Sequence, residues 1–180
     1  MTITSDRKFP KAKSASFTLV ELLVVISIIG LLAGLGLPAI NGAITAGKKA
    51  EVAAMAESIK TAVNAYYAEY SSYPSNATGT TDLVFLNLMS TTNTIGGNYR
   101  GIAFLEVAPK FTNAIGIVSP RGFYPGTNQS NFFILIDTQD LGYVNPKSVS
   151  GTLTNTNVAS SVAVWVVDPT TTTKAVGTFK

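Results

Sequence analysis

The sequence predicts an α+β chain: a long N-terminal α-helix, membrane-spanning in its first half, with an antiparallel β-sheet packed on its second half. Three observations lead there. Residues 16–38 form an apolar run, SFTLVELLVVISIIGLLAGLGLP, interrupted by one carboxylate, Glu21. Apolar residues then keep a helical spacing as far as Tyr70. Beyond Tyr70 the chain breaks into short β-prone runs bounded by Gly, Pro, Asn and Ser, and short strands with short connections pair antiparallel.

Residues 1–16 are polar and basic, contain Pro10 and end in Lys13-Ser14-Ala15-Ser16, which makes them a leader outside the fold. Arg7, Lys8, Lys11 and Lys13 against Asp6 give this leader a net charge of +3, equal to that of the whole 180-residue chain. The remaining side chains therefore sum to zero. The basic balance reflects a topogenic leader, and no nucleic-acid partner is expected, because phosphate binding needs Lys and Arg clustered on the folded domain. By the positive-inside rule the leader stays cytoplasmic and everything after the apolar run is exported, with Lys48 and Lys49 opposing that bias slightly. An ordinary secretory signal, cut after Ala39 or Ala43, is the rival reading, and a carboxylate within its apolar region counts against it.

A membrane helix needs roughly 20 apolar residues, and a carboxylate inside one costs about 2.5–3.5 kcal/mol unless it is paired. Glu21 has no basic neighbour within the apolar run, so its partner is expected from another chain or from processing. A cut between Ser16 and Phe17 would place a new α-amino group four residues from Glu21, one helical turn away. In the helix's second half Val52, Met55, Ala56, Ile59, Ala62, Val63, Tyr66, Tyr67 and Tyr70 recur at three and four, and this stripe should pack on a globular domain. The middle is the weak part: each glycine there costs about 0.8–1 kcal/mol relative to Ala, and Pro38 removes a hydrogen bond. Gly30 and Gly34, four apart, let helices approach closely.

Ser71-Ser72-Tyr73-Pro74 ends the helix. Residues 82–89 read as a short helix capped by Asp82. The strand candidates are residues 102–107, 114–118, 132–137 and 162–167. Laid across the amphipathic half of the helix, the sheet should bury Trp165, Phe133, Leu135 and the helix tyrosines.

A basic leader, a small residue, then Phe17-Thr18-Leu19-Val20-Glu21 and a long apolar helix resemble the class III signal of type IV pilins and type II secretion pseudopilins. The resemblance covers residues 11 to about 70, and only loosely the rest. It implies cleavage by prepilin peptidase between Ser16 and Phe17, N-methylation at Phe17, and assembly through Glu21, Gly30 and Pro38. The family has Gly immediately before the cut, and here Ser16 keeps a small residue in its place. The resemblance further implies that residues 30–38 unwind on assembly, and that Tyr73-Pro74 is the turn that follows the helix in major pseudopilins. The chain then divides into a leader (1–16), a transmembrane and filament-core helix (17–40) and an exported globular domain (41–180).

Cysteine and histidine are both absent, which removes disulfides, thiolate and imidazole nucleophilic catalysis, and zinc sites built from those ligands. Carboxylates remain. Asp137 and Asp140 beside Gly142 are candidate calcium ligands, with imperfect spacing for a calcium loop, and calcium is the one candidate cofactor. Major pseudopilins carry such a loop in their C-terminal region, and Asp168 is the other acid in that region of the sequence. Nothing brings Glu57 and Glu106 together as an acid/base pair, so no enzyme is expected.

The reading is a structural subunit, anchored in the bacterial inner membrane by one span, that polymerises into a type II secretion pseudopilus. The absence of Cys favours this over a type IV pilus subunit, since major type IV pilins often close a C-terminal loop with a disulfide. Its partners are further copies, other pilin-like subunits, the peptidase, an assembly platform and membrane lipid. A type IV pilus subunit, and an anchored exported binding module that never polymerises, are the alternatives.

Overall fold

The computed structural model describes residues 17–74, 79–90, 97–154 and 156–179, with the side chains of residues 37 and 38 excepted. The chain divides into two compact units, Met1–Ala43 and Ile44–Lys180. One helix, α1 (Leu19–Tyr70), supplies the described secondary structure of the first and the opening element of the second.

In the first unit α1 is apolar and uncovered, and the helix is long and apolar enough to cross a membrane. The helix runs without a break through residues 30–38, glycines and proline included. A Cβ added at Gly30 or Gly34 would meet nothing within 4 Å, so their small size serves no contact within this unit.

The second unit is an α+β layer. α1 buries Val52, Met55, Ala56, Ile59, Ala62, Val63 and Tyr66, the expected stripe, whereas Tyr67 is 45% exposed and stacks on Tyr73 with ring centroids 4.4 Å apart. Asp82 accepts a hydrogen bond from the Phe85 amide at 2.8 Å and so caps α2 (Leu83–Ser90), which buries Phe85, Leu88 and Met89. Strands β1 (Gly79–Thr80), β4 (Phe133–Ile136), β5 (Val162–Val167) and β6 (Ala175–Gly177) form an antiparallel sheet in the order β1-β4-β5-β6. β2 (Thr112–Asn113) and β3 (Gly116–Ile117) make a separate hairpin.

Side-chain parity decides which strand residues face the helix. Ile134, Ile136, Val162, Val164, Val166 and Val176 join the α1 stripe and α2 in the main core. Trp165, Ala163 and Ala175 point the other way, into a second core with Val144 and Leu153, flanked by Phe133 and Leu135. The expectation that Trp165, Phe133 and Leu135 lie against the helix is therefore corrected. β5 is apolar at all six positions and covered on both faces, so its residues alone carry no sign of which face meets α1. Phe133 is cross-strand from Trp165 and stacks on it, and Gly177 is Trp165's partner on the other side.

Two expected strands differ as well. Residues 102–108 form no ladder: the Phe104 and Leu105 amides both donate to the Met89 carbonyl, at 2.8 and 2.9 Å, so the run is an extended segment tied to the end of α2. Residues 114–118 split, because residues 114 and 115 are the turn of the β2–β3 hairpin.

Candidate assembly site

Phe17 precedes α1 and is 71% exposed. Thr18 follows as N-cap. Its hydroxyl accepts from the Glu21 amide at 3.2 Å, while its own amide and hydroxyl donate to Glu21 Oε2 at 2.8 and 2.7 Å. This is a capping box, Thr18 at N-cap and Glu21 at N3, in which each side chain satisfies the other's backbone N–H. The carboxylate also lies at the positive end of the helix dipole.

Within the subunit, Glu21 thus has a hydrogen-bond partner three residues away. The T-x-x-E spacing ahead of an apolar run is a sequence signal for this arrangement, and reading the carboxylate only as an intruder in an apolar span conceals it. Both carboxylate bonds from Thr18 end on Oε2, which leaves Oε1 outside the box. Gly30 lies on the exposed apolar stretch of the same helix. Ser16 and the Pro38 side chain lie outside the described residues.

The Asp137 loop is elsewhere, at the end of β4. Asp137 Oδ1 accepts from the Gln139 and Leu141 amides at 3.3 and 3.0 Å, and Oδ2 from the Gly142 amide at 2.6 Å. The Leu141 amide above all, then those of Gly142 and Gln139, holds this carboxyl below the ordinary aspartate range against the opposing effect of burial. Asp140 and Gly142 take positive φ, 54° and 78°, to complete the turn.

Because Val162 pairs with Ile136, Asp137 sits beside the start of β5, whereas Asp168 follows its other end. The two acids are separated by the length of that strand, and cannot share one ion. Among the described residues no cluster of three or more metal-ligating side chains occurs. The donors around Asp137 fit a self-closed turn better than a calcium cage, since both oxygens already accept backbone N–H groups.

Asp168 binds Lys49 instead. Lys49 Nζ donates to Asp168 Oδ2 at 2.7 Å and to Thr170 Oγ1 at 2.9 Å, and Lys48 Nζ donates to the Gly122 carbonyl at 2.7 Å. Burial raises the Asp168 carboxyl, but the bonds from Lys49 and Thr170 outweigh it and leave the group below its ordinary range. These contacts tie α1 to two distant loops, and no local pattern announces them. Glu57 lies on α1 and Glu106 in the extended segment; no described contact joins them.

Residues 11–37 match the family described as the prokaryotic N-terminal methylation motif. The chain is similar to a fimbrial protein of Neisseria meningitidis serogroup A, with 42% identity over 62 residues, 34% of this chain and 36% of that one. It is also similar to the type IV major pilin protein PilE1 of Neisseria gonorrhoeae, with 40% identity over 62 residues, 34% and 38% of the two chains. The chain thus spans little more than a third of the length of these curated relatives. No solved structure matches it. The N-terminal third of the chain thus carries the methylation-motif signal and is similar to that of type IV pilins.

Proposed function

We propose that this chain is a structural, non-catalytic subunit of a pilus-type filament, cut between Ser16 and Phe17, methylated at Phe17 and polymerised through the apolar part of α1. The observation that carries the proposal is the state of that helix: Leu19 to Leu35 are exposed around its whole circumference, with Glu21 held at its first turn by Thr18. A surface of this kind is covered by lipid before assembly and by neighbouring helices after it. In a filament, Oε1 of Glu21 is available to the Phe17 amine of an adjacent subunit, and unwinding of residues 30–38 would be a change made on assembly.

Within this class we favour the type II secretion pseudopilus, built by an inner-membrane platform, with the second unit on the exported side. The Cys-free C-terminal part and the Tyr73-Pro74 turn support it. The similarity to a fimbrial protein and to type IV major pilins supports a type IV pilus as the second reading. Deleting the gene separates them: loss of protein export with no loss of surface fibres supports the first, and loss of fibres with export intact supports the second. The shared proposal is tested by intact mass of the protein from native membranes. A chain starting at Phe17 and carrying one methyl group is expected, and a start at Met1 or after Ala43 would overturn it.

A further inference from the structure

Although the side chains beyond the leader sum to zero, they are not evenly spread. Five of the basic residues gather where the chain enters the second unit. Lys48 and Lys49 line one cleft there, Lys49 and Lys174 a second, and Lys110 and Arg121 a third beside Glu51. Lys48 is linked to Gly122, next to Arg121, by its hydrogen bond. The acids lining these clefts are Glu51 and Asp168, paired with Lys110 and Lys49 respectively. Arg121 and Lys174 are exposed, with no ion pair among the described residues. Five cations against two carboxylates leave a collar of net +3.

We propose that this collar is a docking surface for the headgroups of anionic phospholipids. Continuity of the chain carries the argument. Lys48 follows Ala43, the last residue of the apolar unit, by five positions, so about 7.5 Å of helix separates them. With the apolar part of α1 in a bilayer, Lys48 and Lys49, which lie on the same helix, reach headgroup depth, and the other three cations line the clefts beside them. Cations at that depth are attracted to anionic lipid, and the attraction is lost within a Debye length and screened by salt. The collar therefore holds the waiting subunit against the membrane surface and is released when α1 leaves the bilayer. This inference rests on the membrane-anchored reading above.

The chain has no Cys, so Thr172→Cys, an exposed loop position close to Lys174, gives a single labelling site. The full-length labelled protein is reconstituted in bilayers of neutral phosphatidylcholine, or of phosphatidylcholine with about a third phosphatidylglycerol, each containing a headgroup-quenching lipid. Quenching about twofold or more stronger in the anionic bilayer is expected, reversed by high salt and by Arg121→Gln with Lys174→Gln, and unaffected by dilute inorganic phosphate. Equal quenching in the two bilayers, with the protein floating with both, overturns the collar and leaves the anchor standing. Quenching that follows protein density rather than lipid charge also overturns it, assigning the face to a second copy. Protein that floats with neither lipid overturns the anchored reading and the collar together.

Discussion

Lys49 and Asp168 meet at 2.7 Å across 119 residues of sequence, joining the first turns of α1's globular half to the loop that follows β5. The Asp168 side chain is 9% exposed and that of Lys49 31%. Removing one partner strands the more buried charge. Lys49→Met is expected to destabilise the second unit by about 1–3 kcal/mol, less than for a fully buried pair because Lys49 is partly solvated. Denaturant unfolding of the full chain in detergent, monitored at Trp165, measures it; a loss below about 0.5 kcal/mol would show the bridge to be a surface contact.

The same pair predicts a pH dependence. Asp168 is held below its ordinary range in the folded state, so its contribution is complete above the unfolded value, about 3.9. It is lost as pH falls through the lower, folded value. Asp137 acts in the same direction. Stability should fall from about pH 4 downward, and Asp168→Asn should flatten part of that fall. An identical acid limb in the variant would contradict the assignment.

The Asp137 turn predicts an outcome for calcium. With three backbone amides already on its carboxylate, Asp137→Ala is expected to lower the melting temperature by several degrees, about 1–3 kcal/mol, with or without calcium. A rise in melting temperature on adding calcium, absent in Asp137→Ala, would establish a cation there and restore the calcium reading of Asp137 and Asp140.

Around Trp165 two substitutions should differ sharply. Its indole N–H is buried without a hydrogen-bond partner among the described residues, so Trp165→Phe forfeits packing but no hydrogen bond seen there. Gly177 faces it across the β5–β6 pair, and a Cβ there would come within 2.2 Å of the Val164 carbonyl and 2.7 Å of the Trp165 Cα. Gly177→Ala is therefore expected to be the worse of the two, about 2 kcal/mol or more, despite adding one methyl. Thermal unfolding of both variants ranks them, and the reverse order would contradict the close approach.

The sequence discloses those parts of the fold that repeat a local pattern. The α1 stripe, the Asp82 cap and the run from Val162 to Val167 are all visible as spacing or composition. It does not disclose what depends on distant pairing. Residues 102–107 are as apolar as a strand, but their amides find the end of α2 rather than a ladder. Trp165 lies one residue from helix-facing Val164, and an all-apolar strand covered on both faces carries no parity signal. The basic collar disappears in a net charge of zero, since its members come from residues 48 to 174. Glu21 is the intermediate case: its capping partner is legible from T-x-x-E, whereas its role between subunits rests on the exposure of the surrounding helix.

Glu21→Gln tests the central claim most directly. Glutamine also closes a capping box, so this variant keeps the start of α1 while removing the charge. Glu21→Ala removes both. The measurement scores membrane insertion, leader cleavage and filament formation for the two variants in cells. The account predicts that both insert and are cleaved, and that neither assembles ordered filaments, because the uncharged residue cannot pair with the Phe17 amine of the next subunit. Normal filaments from Glu21→Gln would contradict it, confining the carboxylate to its own helix cap.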